Sequence, residues 1–207
     1  MAKLVAISGT HGCGKSTVLN EVQLKLPKNF AIDDFKASRE VQASLGIDLQ
    51  TALSDLTSLV AFQEKVFEVK VKNDMELLRR CDTEIILVER SFLDLICYTQ
   101  LWLQHLDIHQ THLEWFNVYT KKALKFQRLY AATIFIPSSP EIPFVVDPNR
   151  GGEDTRLRFE FLLRMELSMF ETMFQKESFY IPREMHPIND RVDLVLDFLK
   201  QIQKITL

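Results

Sequence analysis

The chain is short of the residues that break or cross-link a fold: 6 glycines, 7 prolines and 3 cysteines in 207 residues. Cys13, Cys81 and Cys97 make neither an even framework nor a C-x-x-C pair, which argues against a disulfide-stapled secreted scaffold and leads us to expect a reduced, cytoplasmic setting. No apolar run approaches the ~18 residues of a membrane span, so no membrane association is expected. Met1-Ala2-Lys3 leads directly into an apolar stretch, which leaves no expected room for a signal peptide. Linker-like, repetitive or low-complexity segments are missing too, as are long blocks of one charge. An excess of positive charge is also lacking: the formal net charge is −3, which excludes a globally basic nucleic-acid binder but leaves a local basic groove open. Apolar residues, at 46%, are plentiful enough for a full core, and one domain over residues 1–207 is the expectation.

The scarce glycines are concentrated where they carry chemistry. Gly9-Thr10-His11-Gly12-Cys13-Gly14-Lys15-Ser16-Thr17 follows the strand-like run Lys3 to Ser8 and precedes an amphipathic stretch with Val18, Leu19, Val22 and Leu26. This is the G-x-x-x-x-G-K-[ST] phosphate-binding loop, or P-loop, in its expected strand–loop–helix context. Its glycines let successive backbone N–H groups curl around phosphate oxygens, Lys15 reaches the β/γ-phosphates, and Ser16 offers a hydroxyl to Mg²⁺. The helix that follows adds the positive end of its dipole. Binding of ATP with Mg²⁺ is the expectation.

Alternating strand and helix patterns predict an α/β fold, a three-layer sandwich of the P-loop NTPase type with a five-stranded parallel sheet. The strand candidates are residues 4–7, 30–32, 85–88, 133–136 and 179–181. Helical periodicity covers about 53–80, 92–105, 113–129 and 155–174, and a last helix carries Val192, Val195, Leu196, Leu199 and Ile202 on one stripe. Such sheets bind ligands beyond the carboxyl ends of their strands. Those ends carry the P-loop, then Asp33-Asp34, then Glu89-Arg90-Ser91, then a proline-punctuated loop leading to Asp147 and Arg150. That convergence predicts a site with a carboxylate base, cationic clamps and a metal.

The run Ile85 to Phe92, with Glu89-Arg90-Ser91, resembles the strand and Glu-Arg-Ser motif of deoxynucleoside kinases and, more loosely, the Asp-Arg motif of thymidylate kinases. The resemblance implies that Arg90 holds the acceptor near the transferred phosphoryl, while Glu89 helps organise the metal or the acceptor. Phe62-Gln63 falls where that family places a Phe-Gln that stacks on and hydrogen-bonds the base. Residues 150–158 look like its arginine-bearing lid (about 147–158), with Arg150, Arg156 and Arg158 as donors to the developing charge, Arg156 also toward ATP, and Gly151-Gly152 as hinge. The stretch from Ile142 to Asp147, followed by Arg150, also resembles ribosylnicotinamide-kinase-like P-loop proteins. Where the family presents a glutamate base after its second strand, this chain offers Asp33 and Asp34, either of which is a candidate; Arg39 is a candidate for an acceptor phosphate.

The resemblance implies a kinase that moves the γ-phosphoryl of ATP to a hydroxyl or phosphate of a nucleoside-type acceptor. An alternative keeps the chemistry and changes the acceptor to a hydroxymethylated pyrimidine within DNA, as in some viral P-loop kinases. The basic set Lys121, Lys122, Lys125 and Arg128 would then neutralise backbone phosphates, with 121, 125 and 128 on one helix face. A homodimer stays open. A third reading, a P-loop switch or motor, is disfavoured because neither Asn-Lys-x-Asp nor a strand ending in Asp-Glu is present. His105, His109 and His112 would share a helix face as a zinc site requires, though a solvated helix end explains the same letters. Cys13 enters the P-loop through its backbone rather than its thiol. Trp102, Trp115 and Phe116 are candidates for an acceptor-stacking wall or for core.

Overall fold

The computed structural model describes residues 2–80, 82–106, 111–137, 141, 164 and 177–204. Strands β1 (Lys3–Ser8), β2 (Phe30–Asp33), β3 (Ile85–Glu89), β4 (Tyr130–Phe135) and β5 (Glu177–Tyr180) form one parallel sheet in the order β2-β3-β1-β4-β5. The described helices are α1 (Lys15–Lys25), α2 (Ala37–Leu45), α3 (Leu49–Ala52), α4 (Leu56–Leu78), α5 (Phe92–His105), α6 (Thr111–Gln127) and α7 (Ile188–Lys204).

Helices cover both faces of the sheet, which is why β1 and β3 read as near-continuous apolar runs rather than alternating ones. Leu4, Ala6, Ile86 and Val88 face α4, α5 and α6, joining a core with Leu59, Val66, Phe67, Phe92 and Tyr119. Val5, Ile7, Ile85 and Leu87 face the other way, onto Val18, Leu19 and Val22 of α1 and Val192, Val195 and Leu199 of α7. This is the three-layer α/β architecture expected. The central position of β1 puts the loop that leaves it, the P-loop, between the ends of β3 and β4.

Local signals set the helix boundaries. The Asp48 side chain accepts from Thr51 N–H to start α3, and Asp55 accepts from Ser58 N–H to start α4, three residues later than apolar periodicity alone suggests. Ser91 and Asp94 form a reciprocal capping box that starts α5. Gly46, at φ 64°, ends α2 in the left-handed conformation. The strand edges shift by one to three residues from expectation: β4 begins at Tyr130, and β5 at Glu177. The expected helix over 155–174 and the lid at 147–158 lie outside the described residues.

Helix α4 carries one buried polar cluster through this apolar layer. Lys70 Nζ lies 3.2 Å from Asp74 Oδ2, and Tyr130 donates its hydroxyl to that same oxygen at 2.6 Å. The Lys70 ammonium also sits 5.5 Å from the Phe92 ring centroid and 5.6 Å from that of Tyr130. Burial, then the neighbouring Asp74 charge, pushes the Tyr130 hydroxyl pKa well above its usual value. The cluster pins α4 to the first residue of β4 and to the start of α5. Removing one partner of a buried pair strands the other, so Lys70→Met should destabilise the protein by about 3 kcal/mol in denaturant unfolding. Adding Asp74→Leu should restore part of that loss. A single-variant loss below about 1 kcal/mol would show that the pair contributes little.

Candidate active site

The P-loop is a backbone structure before it is a set of side chains. Gly12 and Gly14 stand at φ 69° and 90°, and Gly14 is the residue on which α1 begins. Among the described residues no side chain caps the first-turn amides of α1 or α2, whereas α3, α4 and α5 begin on carboxylate or hydroxyl caps. An uncapped, dipole-aligned helix start beside consecutive loop amides is an anion cradle. Gly9 has no space for a side chain: a Cβ there would meet the Ile136 carbonyl oxygen at 2.4 Å, so the loop leaves β1 pressed against the chain that follows β4. Lys15, 4% exposed, donates from Nζ to the Gly9 and Thr10 carbonyls at 3.0 and 2.7 Å, spanning the loop it belongs to. Ser16 and Thr17 are exposed on the first turn of α1. Thr10 is buried, and its hydroxyl has no partner among the described residues.

The end of β3 locks onto this loop. Arg90 holds a left-handed backbone at φ 71°, the only such non-glycine residue described, a conformation that costs roughly 1–2 kcal/mol. Its N–H donates to the Ile7 carbonyl at 2.8 Å, which places the Arg90 side chain across the start of the P-loop. That guanidinium donates to Gly9 O at 3.4 Å and Asp94 Oδ1 at 3.3 Å, and lies 4.7 Å from the Tyr98 ring centroid. Burial works against its charge, but Tyr98, Asp94 and Glu89 outweigh burial and hold its pKa above the ordinary arginine value. Asp94, fully buried, accepts from Gly9 N–H at 3.3 Å as well as from Ser91 N–H at 2.8 Å. Tyr98 accepts from His11 N–H at 3.0 Å through its hydroxyl, and Ser8 donates its hydroxyl to Ser91 Oγ at 2.8 Å.

At the end of β2 the two aspartates separate. Asp33 is half-buried and accepts from the Asn73 amide at 2.8 Å. Asn73 lies ten residues along α4 from Gln63, about 15 Å at the helical rise. Asp34 is 84% exposed, with Lys36 Nζ 3.9 Å away, and the same ammonium lies 3.7 Å from Glu89 Oε2. Lys36 therefore bridges Asp34 to the β3 end. Glu89 is 6% exposed, and its Oε2 makes no hydrogen bond among the described residues.

The family model described as an AAA domain matches residues 4–175. The chain belongs to this AAA-domain family. Its fold is the P-loop nucleoside and nucleotide kinase fold. A deoxyadenosine kinase from M. mycoides, solved with the products dCMP and dCDP, superposes with a TM-score of 0.68 at 17% identity, covering 96% of this chain and 99% of that one. A thymidylate kinase from Candida albicans gives 0.67 at 14% identity, covering 98% and 92%. The NadR protein in complex with NR gives 0.67 at 14% identity, covering 95% of this chain and 49% of that longer one. No curated protein matches the sequence.

In this AAA-domain chain, Gly9 to Thr17, Glu89 and Arg90 come together at the carboxyl ends of β1 and β3. Phe62 and Gln63 lie on the inner face of α4, 3% and 5% exposed, and Phe62 packs into the core rather than standing open as a stacking surface. Trp102, Trp115 and Phe116 pack at the margin of the same core. Arg39 is exposed on α2. Lys122 separates from its basic neighbours: Glu64 binds it at 2.8 Å and it sits 4.4 Å from the Phe67 ring centroid, whereas Lys121 and Lys125 are exposed on α6 and Arg128 is exposed in the turn that follows it. Arg150, Arg156, Arg158 and His109 lie outside the described residues. Asp94, Tyr98 and Lys36 escaped sequence reasoning as site residues. The Ser91-x-x-Asp94 capping pattern was the available signal for the first; the other two had none.

Burial pushes the Asp33 carboxyl up from its ordinary 3.8, against the lowering effect of the Asn73 hydrogen bond. The folded protein thus holds this proton more tightly than the unfolded chain. Asp33 contributes stability below its unfolded pKa and loses that contribution as pH rises through its folded pKa. Asp33→Asn, which keeps an oxygen for Asn73, should therefore melt higher relative to wild type at about pH 7 than at about pH 4. A melting difference independent of pH would remove the strain assigned to this carboxylate.

Proposed function

We propose that the chain is a kinase that transfers the γ-phosphoryl group of ATP, with Mg²⁺, to a hydroxyl or phosphate of a nucleoside-type acceptor. The observation that carries this reading is the juxtaposition of an uncapped α1 N-terminus and Lys15 with Arg90 and the buried Glu89 at the adjacent strand end. It is supported by the kinase fold and by the nucleotides named with the similar structures.

The residues fit both groups. P-loop amides and Lys15 would hold the donor phosphates. The Ser16 hydroxyl and the Glu89 Oε2, which makes no hydrogen bond among the described residues, are oxygen donors of the kind that Mg²⁺ prefers. A bound Mg²⁺ held there would supply positive charge against the phosphates. Arg90, held by Asp94 and Tyr98, would face the charge that develops on the transferred group, and the arginines at 150, 156 and 158 would add donors from the lid. Asp34 would accept the acceptor's proton as its oxygen bonds to phosphorus and the bond to ADP breaks. Asp33, tied to Asn73, would take no part. Gln63 would hydrogen-bond the acceptor's base. The exposed Lys121 and Lys125 favour the modified base in DNA as a second acceptor reading.

Labelled ATP offered to nucleosides, monophosphates and duplexes carrying hydroxymethylpyrimidines separates these acceptors. Label is expected in a nucleoside or its monophosphate; label in DNA alone would replace the small acceptor with the DNA one, and ATP hydrolysis unaffected by every acceptor would overturn the kinase reading. Lys15→Ala should abolish transfer in a protein that still folds. Asp34→Asn should lower turnover by about 10²–10⁴, while Asp33→Asn stays near wild type. The reverse ranking would exchange the two carboxylates.

A further inference from the structure

Helix α7 places a buried cation directly behind the P-loop. Arg191, in its first turn, is 2% exposed, the largest fully buried side chain described. Its Nε donates to the Met185 carbonyl, and Nη1 donates to the Cys13 carbonyl at 3.4 Å. Nη1 also lies 3.8 Å from where a Gly14 Cβ would stand, so the guanidinium is packed against the Cys13–Gly14 peptide itself. The third nitrogen, Nη2, is buried with no hydrogen-bond partner. Among the described residues no carboxylate forms an ion pair with Arg191, in contrast to Arg90 and its Asp94. Burial accordingly lowers its pKa from the ordinary arginine value.

A buried cation with no counter-ion among the described residues is costly, and its position against the loop points to what would offset the charge. The Cys13–Gly14 peptide offers its carbonyl to Arg191 and carries the Gly14 N–H of the phosphate cradle. A charged donor on the carbonyl polarises the peptide and strengthens its N–H as a donor. We infer that Arg191 is a positioning residue whose charge is balanced by the donor's phosphates through the Cys13–Gly14 peptide, so that it favours ligands with more phosphate charge. This rests on the P-loop serving as the nucleotide donor site.

Titration of wild type, Arg191→Lys and Arg191→Met with ATP, ADP and AMP, alongside nucleotide-free melting, tests the inference. Arg191→Met, an apolar side chain of similar length, should melt at or above the wild-type temperature without nucleotide, because it removes an uncompensated buried charge. Its ATP affinity should nonetheless fall at least about tenfold, with the ATP-to-AMP affinity ratio shrinking. Arg191→Lys should keep part of that ratio. An unchanged ratio in Arg191→Met, even with uniformly weaker binding, reduces Arg191 to a brace between α7 and the loop and overturns the inference. Should Arg191→Met fail to fold, the ratio in the neutral but polar Arg191→Gln decides by the same criterion. Failure of wild type to bind ATP would instead bring down the donor-site reading, and the inference with it.

Discussion

The Asp94 carboxylate, with no exposed surface, is the contact on which the rest of the site depends. A carboxylate taken out of water must be matched by donors, and this one receives them from Gly9, Ser91 and Arg90. Those three residues belong to the P-loop, the start of α5 and the end of β3. One desolvated charge thus fixes the angle at which the loop leaves β1, the start of α5 and the side-chain direction of Arg90. It also explains how Arg90 sustains a left-handed backbone: the hydrogen bond to Ile7 O and the pairing with Asp94 over-determine a conformation that sequence alone disfavours.

The two faces of the sheet are packed with different physics. Toward α1 and α7 the core is almost wholly aliphatic, and the groups aimed at the loop from there are backbone amides and Arg191. Toward α4, α5 and α6 the core is aromatic and carries the Lys70, Asp74 and Tyr130 cluster. Aromatic rings at 5–6 Å separations and a paired buried charge hold α4 in one place. The pinning fixes the register of α4, and with it the positions of Gln63 and of Asn73, which holds Asp33.

Much of this was legible because it is periodic or local. The P-loop announced itself through spacing, and α5 begins and ends where its apolar pattern says, Phe92 to His105, because a capping box marks its start. Helix α2 went unread: in nine residues it buries only Ala37 and Val41, too little for a stripe. The two aspartates could not be told apart because their difference lies in Asn73, forty positions away, and in Lys36. Arg191 was invisible for the same reason. Its partner is a backbone carbonyl 178 positions away, and carbonyls leave no mark in a sequence.

Net charge misleads about this site in an instructive way. The chain is acidic overall, at −3, yet three cations, the buried Lys15 and Arg191 and the part-buried Arg90, surround the Gly9 to Gly14 backbone. Among the described residues only Arg90 of the three has a carboxylate partner, and that carboxylate is itself shared with Gly9 and Ser91. Lys15 and Arg191 spend their donors on carbonyls, which orient a cation without cancelling it. In a low-dielectric setting such charges act over longer distances than the solvated acids at the surface, which salt and water screen. Among the described residues, two cations without a carboxylate partner and a helix dipole thus make the loop locally positive on a chain whose formal net charge is negative.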